Sequence, residues 1–389
     1  MSTLNVTTIQ TANGTTDLTL TTGNTSGPSI VVGANGSFTY SNVNSFSVGA
    51  NVTVTTSALS IGNSTVNTVA NSTTLTTSAL SIGNSTVNTV ANSTTFAING
   101  NNISPVQSFR NKIINGNFDY WQRGTSNTSI ASGQFLADRW RHDRTGSTAN
   151  VSLQAFTLGQ TDVPNEPTYF HRTIVTSSAG SGNYMVFRQY IESVRTLAGQ
   201  TATLSFWAKA DASKNIAVEF EQNFGTGGSP SSTVDAIGVT TWALTTSWQK
   251  FTITANIPSI SGKTLGTNNN DYLALSFWFD AGSDFNARTN SLGQQSGTFD
   301  IAQVQLEAGS VATPFEMRPL GMELVLCQRY FASMLVYEQT IVTSYTLPVP
   351  MRATPVLTTT GATVFPTINS FILGNGSSAI RTVTASAEL

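Results

Sequence analysis

Apolar and polar residues alternate in short runs through much of this 389-residue chain. The clearest runs are ATLSFWAKA (202–210), IAVEFEQNF (216–224), WQKFTITANI (248–257), YLALSFWFDA (272–281) and GTFDIAQVQLE (297–307). A period of two puts alternate side chains on opposite faces of a strand, so each run predicts a half-buried strand. Gly, Ser, Asn and Asp loops separate the runs, GTGGSPSST at 225–233 being the plainest breaker. Many short strands with turn signals between them predict a sandwich or barrel. After Pro319 the rhythm changes. LGMELVLCQRYFASM sets Leu320, Leu324, Cys327 and Phe331 at helical spacing, and proline suits the start of a helix. A β-rich segment from about Val336 to Leu389 follows, with LPVPMRATPVL and a Gly-Asn-Gly turn at Gly374 to Gly376.

The first 109 residues follow a simpler pattern. VTTSALSIGNSTVNTVANSTT at 54–74 recurs as LTTSALSIGNSTVNTVANSTT at 75–95, a period of 21 with only the first residue changed. Each copy reads apolar, polar, apolar and then Gly-Asn, as in Leu59-Ser60-Ile61-Gly62-Asn63 and Leu80-Ser81-Ile82-Gly83-Asn84. This is a strand closed by turn chemistry. One such unit cannot bury its apolar row alone. Stacked repeats, or three chains wound together, would close it. The alternative is an unstructured Thr/Asn linker, against which the regular Leu/Ile/Val spacing argues.

Composition sharpens the division. Asp17 is the one charged residue before Arg110, so a boundary falls near residue 109. Charged residues form 10% of the chain, against roughly a quarter in ordinary globular proteins. The net charge of −2 gives no electrostatic footprint for nucleic acid. No apolar stretch reaches the roughly 18 residues of a membrane-spanning helix, so membrane insertion is not expected. The opening MSTLNVTTIQ lacks the features of an export signal, and Cys327 is the only cysteine. An extracellular style of composition without an export signal suits a virion part, assembled in the host cytoplasm and released by lysis.

Three separated motifs carry a resemblance. NKIINGNFDYWQRG (111–124) followed by FLADRW (135–140) resembles the opening of a domain common in bacteriophage tail fibres. QLEAGSVATPFEMRPLGMELVLCQRYF (305–331) resembles its closing element, and LPVPMRATP (347–355) with the terminal AEL resembles the tip module that follows. LSFWAKA and WQKFTIT are similar to strands of carbohydrate-binding jelly rolls. The resemblance spans roughly residues 110–389. It implies a homotrimer whose N-terminus sits on other tail or virion proteins and whose C-terminus faces the host. It also implies that Trp121, Arg139 and Trp140 are structural.

Catalytic chemistry finds little support. His142 and His171 are the only histidines, and His171 reads as a strand residue. No Gly-x-Ser-x-Gly elbow, Walker loop or His-Glu-x-x-His occurs. Glu219 and Glu221 share one strand face about 7 Å apart, within range for a glycosidase pair. Glu-x-Glu on a strand is ordinarily a solvated face, and no catalytic role is assigned. A sugar platform is the sharper candidate. Alternation puts Trp207 with Lys209, and Trp278 with Tyr272 and Asp280, on the more polar faces of two strands that share Leu-Ser-Phe-Trp. An indole ring covers the C–H face of a pyranose while charged neighbours bind its hydroxyls. Alternatively, these tryptophans pack under a loop, another domain or neighbouring chains. No cofactor is required. The jelly-roll resemblance admits a structural calcium beside the first and last strands, for which Asn117, Asp119 and Asp300 offer oxygens.

The expected protein is therefore mainly β. Residues 1–108 form a virion-attachment segment and repetitive β shaft, 109–318 a jelly-roll sandwich, and 319–389 a small helix with a β tip. Its expected role is non-enzymatic: host attachment by a phage tail fibre through surface glycan. The rival is a structural head fibre or capsid decoration protein that binds no receptor.

Overall fold

The computed structural model describes residues 80–83, 88–91, 96–98, 101–102, 109–338, 343–359, 363–374 and 379–389. The chain divides into two units, Met1–Thr77 and Ser78–Leu389. The first unit lies outside the described residues, and with it most of the expected shaft, including the first repeat copy. So do residues 375–378 of the expected turn after Gly374.

The second repeat copy contributes strands β1 (Leu80–Gly83) and β2 (Asn88–Ala91), which pair antiparallel from Leu80↔Ala91 to Gly83↔Asn88. β3 (Phe96–Ile98) and β4 (Asn101–Asn102) extend them into a four-stranded sheet. The alternating Leu-Ser-Ile of the repeat is thus the first arm of a hairpin.

Two short strands, β5 (Ser126–Asn127) and β6 (Gln134–Phe135), precede the main body. The next five are β7 (Trp140–Thr145), β8 (Thr148–Ala155), β9 (Tyr169–Thr176), β10 (Tyr184–Glu192) and β11 (Thr201–Ala210). Then come β12 (Lys214–Asn223), β13 (Val234–Leu244), β14 (Gln249–Asn256), β15 (Tyr272–Ala281) and β16 (Gly297–Ala308). They build two antiparallel six-stranded sheets, ordered β13-β12-β15-β10-β7-β6 and β14-β11-β16-β9-β8-β5. The chain crosses repeatedly from one sheet to the other, giving a jelly-roll sandwich.

The alternation read from the sequence decides which side faces in. Leu204, Phe206 and Ala208 of β11 meet Leu273, Leu275, Phe277 and Phe279 of β15 in one core, each fully buried. Burial of such a side chain stabilises by about 1.5–3 kcal/mol, so the alternation sets the sandwich energetically. A one-residue slip would turn every one of them out of this core.

Both histidines lie inside this core. His142 of β7 and His171 of β9 have their Nε2 atoms 3.3 Å apart, and His171 Nε2 is 2.9 Å from Thr173 Oγ1. Phe187 stacks on His171 at 4.0 Å between ring centroids. Burial pushes the His142 imidazole down to about 3 and that of His171 well below its usual value, with neighbouring His142 adding to the second shift.

A short helix, α1 (Asn286–Thr289), lies in the β15–β16 connection. Beyond the sandwich, α2 (Leu320–Gln328) starts directly after Pro319. The expected helix continued to Met334, but Phe331 already belongs to β17 (Phe331–Glu338). The buried side of α2 also differs from the expected stripe. Cys327 of that stripe is buried, but Leu320 is 60% exposed and Glu323 is buried instead. The Glu323 carboxylate is drawn in because it accepts from the Asn115 backbone N–H and pairs with Arg318 at 3.1 Å.

The tip adds β18 (Thr343–Thr346), β19 (Val356–Thr358), β20 (Thr363–Pro366), β21 (Ser370–Gly374) and β22 (Ala379–Ser386). Two three-stranded sheets, β17-β22-β19 and β18-β21-β20, enclose a second core around Phe371, Leu373, Val383 and Ala385.

The sequence motifs converge where tip meets sandwich. Arg123 reaches Glu388 at 2.6 Å, and Arg139 pairs with the same carboxylate. Arg139 is 1% exposed, lies 3.5 Å over the Tyr330 ring and donates to the Tyr190 carbonyl at 2.5 Å. Gln122 bridges the Asp138 carboxylate at 2.6 Å and the Phe331 carbonyl at 3.0 Å. Trp140 and Trp121 anchor the Asn115–Phe118 turn through indole N–H bonds to Asn115 O (3.0 Å) and Phe118 O (2.7 Å).

Removing one partner of a buried ion pair leaves the other charge uncompensated. Glu388→Gln should therefore cost roughly 3–5 kcal/mol, seen as a lower urea midpoint of the full chain. An unchanged midpoint would mean that this pair does not hold the tip. The histidines give a pH test. An unfolded imidazole takes its proton near 6.5, but the folded His142 does so only near 3. The pair's contribution is thus complete above pH 6.5 and is lost as pH falls towards 3. Relative to a His142→Leu/His171→Leu variant, the native chain should lose at least about 2 kcal/mol between pH 6.5 and 5. A constant difference across that range, in urea titrations, would contradict it.

Candidate functional site

The outer face of the sheet β14-β11-β16-β9-β8 carries the open site. Along β11 the outward residues are Thr203, Ser205, Trp207 and Lys209. Trp207 stands in register with Lys250 on β14 and Ala302 on β16. A bulge in β16 opposite Ser205–Trp207 places Gln303 at φ 47°, and bulges of this kind re-aim side chains. Gln303 donates its amide to Pro164 O at 2.7 Å and so ties the 164–165 loop to the sheet. The result is a cleft of about 360 Å³ in which half-buried Trp207 lies with Ser205, Gln303 and Lys250, flanked by Pro164, Pro314 and Phe315. An aromatic ring beside amide, hydroxyl and ammonium groups suits a ligand with one apolar face and several hydroxyls.

A second hollow of about 330 Å³ adjoins Lys209, Arg172, Asp211 and Asp300. The Lys209 ammonium lies 5.1 Å from the Trp248 ring centroid and 5.9 Å from that of Phe170. Trp248 is therefore the tryptophan that shares Lys209's surroundings. Its signal is present in WQKFTIT, where alternation puts Trp248 in phase with Lys250 and Thr252.

Trp278, Tyr272 and Asp280 lie on the outer face of the other sheet, on the opposite side of the sandwich. The expected single platform of Trp207, Lys209, Tyr272, Trp278 and Asp280 is thus divided by the core. Trp278 is also closed off, at 1% exposure. It packs with Val186, Ala217 and Ala281 beneath Tyr184, Phe285 and Leu292, and its indole donates to Glu219 Oε1 at 3.1 Å. Asp280 is fully buried and accepts from Ser147 Oγ (2.6 Å), Ser177 Oγ (2.8 Å) and the Gln295 backbone (2.8 Å). Tyr272 stacks on Tyr190 at 4.1 Å, and burial drives its phenol well above the ordinary range. Trp278 and Asp280 hold the 283–296 connection on the sheet, and Tyr272 packs against the neighbouring strand.

Glu219 and Glu221 are not a solvated face either. They are 0% and 6% exposed, and one Arg288 nitrogen reaches them at 2.5 and 2.8 Å. Burial raises the Glu219 pKa, and Arg288 opposes the rise. The guanidinium spans the two carboxylates, leaving no separation for a sugar between them.

The calcium set does not fit. Arg172 clamps Asp300 with bonds of 2.7 and 2.8 Å. Asn117 donates its amide to Asp119 at 3.1 Å, and the two line a different hollow from Asp300. Asn117 Oδ1 is buried without a donor, but one such oxygen falls far short of the six to eight that calcium takes. Among the described residues no group of three or more His, Cys, Asp or Glu could hold a metal.

Together these features define a β-sandwich with an aromatic cleft on one outer face. No protein-family model matches the chain, and no curated protein matches it. Among solved structures, a CBM4 domain is similar at 19% identity and TM-score 0.29, covering 50% of this chain and 98% of that one. The enzymatically active domain of tailspike protein 4 from bacteriophage CBA120 is similar at 14% identity and TM-score 0.31, over 52% of this chain and 22% of that chain. A family 11 carbohydrate-binding module from Clostridium thermocellum, in complex with a β-1,3-1,4-mixed-linked tetrasaccharide, shows 11% identity and TM-score 0.29, over 49% and 99%. The fold assignment rests on the strand order and register described above.

The division of roles predicts opposite stability effects. Trp278→Ala should cost about 3–5 kcal/mol, as for a large buried aromatic, and Trp207→Ala should cost well under about 1 kcal/mol. Urea unfolding of the two variants checks this. Equal losses would mean that Trp207 is also a packing residue.

Proposed function

We propose that this protein is a bacteriophage tail fibre that attaches the virion to its host by binding surface glycan, without covalent chemistry. The Trp207 cleft carries the reading. It presents a half-buried indole beside hydroxyl, amide and ammonium donors on an otherwise regular sheet. The absence of catalysis accords with two core-buried histidines and with Glu219 and Glu221 both held by Arg288. The phage assignment rests on the three fibre-like motifs, whose residues Gln122, Arg123, Arg139 and Glu388 meet at one junction.

In this reading three chains assemble, closing the apolar rows of the N-terminal repeats that one chain cannot bury. The N-terminal segment docks on tail or virion proteins. Several weak sites per particle then act together, so avidity compensates for modest single-site affinity.

The experiment is binding of the full chain to host cells and to purified host polysaccharide, with its mass in solution recorded. Trp207→Ala should weaken glycan binding roughly tenfold or more, the loss of about 1.4–2 kcal/mol expected at an aromatic anchor. Its urea midpoint should stay close to that of the native chain. A folded trimer that ignores every susceptible strain would favour the structural head-fibre or decoration reading. New reducing ends in the polysaccharide would contradict the non-enzymatic one.

A further inference from the structure

The charges around the Trp207 cleft are unevenly committed. Asp300 is held by Arg172 at 2.7 Å, with Lys209 3.9 Å away. Glu307 accepts from Thr313 N (2.9 Å) and Thr313 Oγ1 (2.7 Å). Glu316 accepts from the backbone of Phe109 (2.6 Å) and Asn111 (2.9 Å). Glu166 lines a different hollow. Among the described residues no carboxylate lines the cleft itself, where Lys250 is the one charged residue. Among the same residues, no ion pair or hydrogen bond engages the Lys250 ammonium.

From this we infer that the sugar unit seated against Trp207 carries an anionic substituent, a carboxylate or a sulfate, which Lys250 pairs. The inference rests on the glycan-binding reading and specifies its ligand class. Lys250 is the cross-strand partner of Trp207, so an ammonium stands beside the ring that would cover the pyranose. Lys250 is exposed at the mouth of the cleft, so its ammonium is accessible to a ligand and its pairing is open to screening by salt. A charge-assisted bond to ammonium is roughly twice as strong as a neutral one. A net charge of −2 means that no overall field draws anions in, so any preference must be local.

The test is calorimetric titration of the full chain with three oligosaccharides of equal length: a neutral oligogalactoside, an oligogalacturonate and a sulfated oligogalactoside. At low salt one or both anionic ligands should bind about tenfold tighter than the neutral one, and the advantage should shrink in about 0.5 M salt, as screening requires. Which one gains tells carboxylate from sulfate. Lys250→Gln should weaken the anionic ligands about tenfold more than the neutral one, and Lys250→Arg should restore most of that difference. Trp207→Ala should weaken all three. Equal or tighter neutral binding that still depends on Trp207 would overturn the anionic inference and keep the glycan reading. No binding of any of the three ligands, with no binding of the native chain to host polysaccharide, would overturn both.

Discussion

Each of the two large sheets has one apolar face that must leave water, and the alternation along its strands sets which face that is. Phe206, Phe277, Phe279 and Leu306 point inward because their neighbours on either side point out, and all are fully buried. Everything else in the sandwich follows from that closure. The two remaining faces look in opposite directions, and whatever lies on them cannot cooperate across the core.

Those faces are used differently. One is closed by the connection after β15, whose Phe285 and Leu292 cover Trp278 while Arg288 neutralises Glu219 and Glu221. Buried carboxylates need such pairing, because a charge in the interior without a partner costs far more than the pair gains. The other face is left open where the β16 bulge and the Gln303–Pro164 bond hold a loop beside Trp207. Paired polar groups close one side, and a half-buried aromatic ring leaves the other open.

The junction of sandwich and tip explains why three distant sequence motifs belong together. Arg123 and Arg139 come from the opening segment and Glu388 from the far end, and one carboxylate takes both guanidinium groups. Tyr330 and Phe331 lie against those same guanidinium planes at 3.5 and 3.7 Å. The tip's own core is small, so it gains by sharing ionic and aromatic contacts with the larger body.

By itself the sequence determined β11, β12, β14, β15 and β16, the inward residues of β11 and β15 and the start of α2, since each depends on local alternation or on a proline. It also put Trp207 and Lys209 on one polar face, where they line separate hollows, and held Trp248 in the same phase as Lys250. It could not tell Trp207 from Trp278, because Leu-Ser-Phe-Trp reads alike in both strands. Only the tertiary structure put those strands in different sheets and laid the 283–292 segment over one of them. The same holds for Glu219, Asp280 and Asp300. Their chemistry is plain in the sequence, but whether a carboxylate meets water, a serine or an arginine is decided by elements distant in the chain, because burial and pairing are properties of the packed whole.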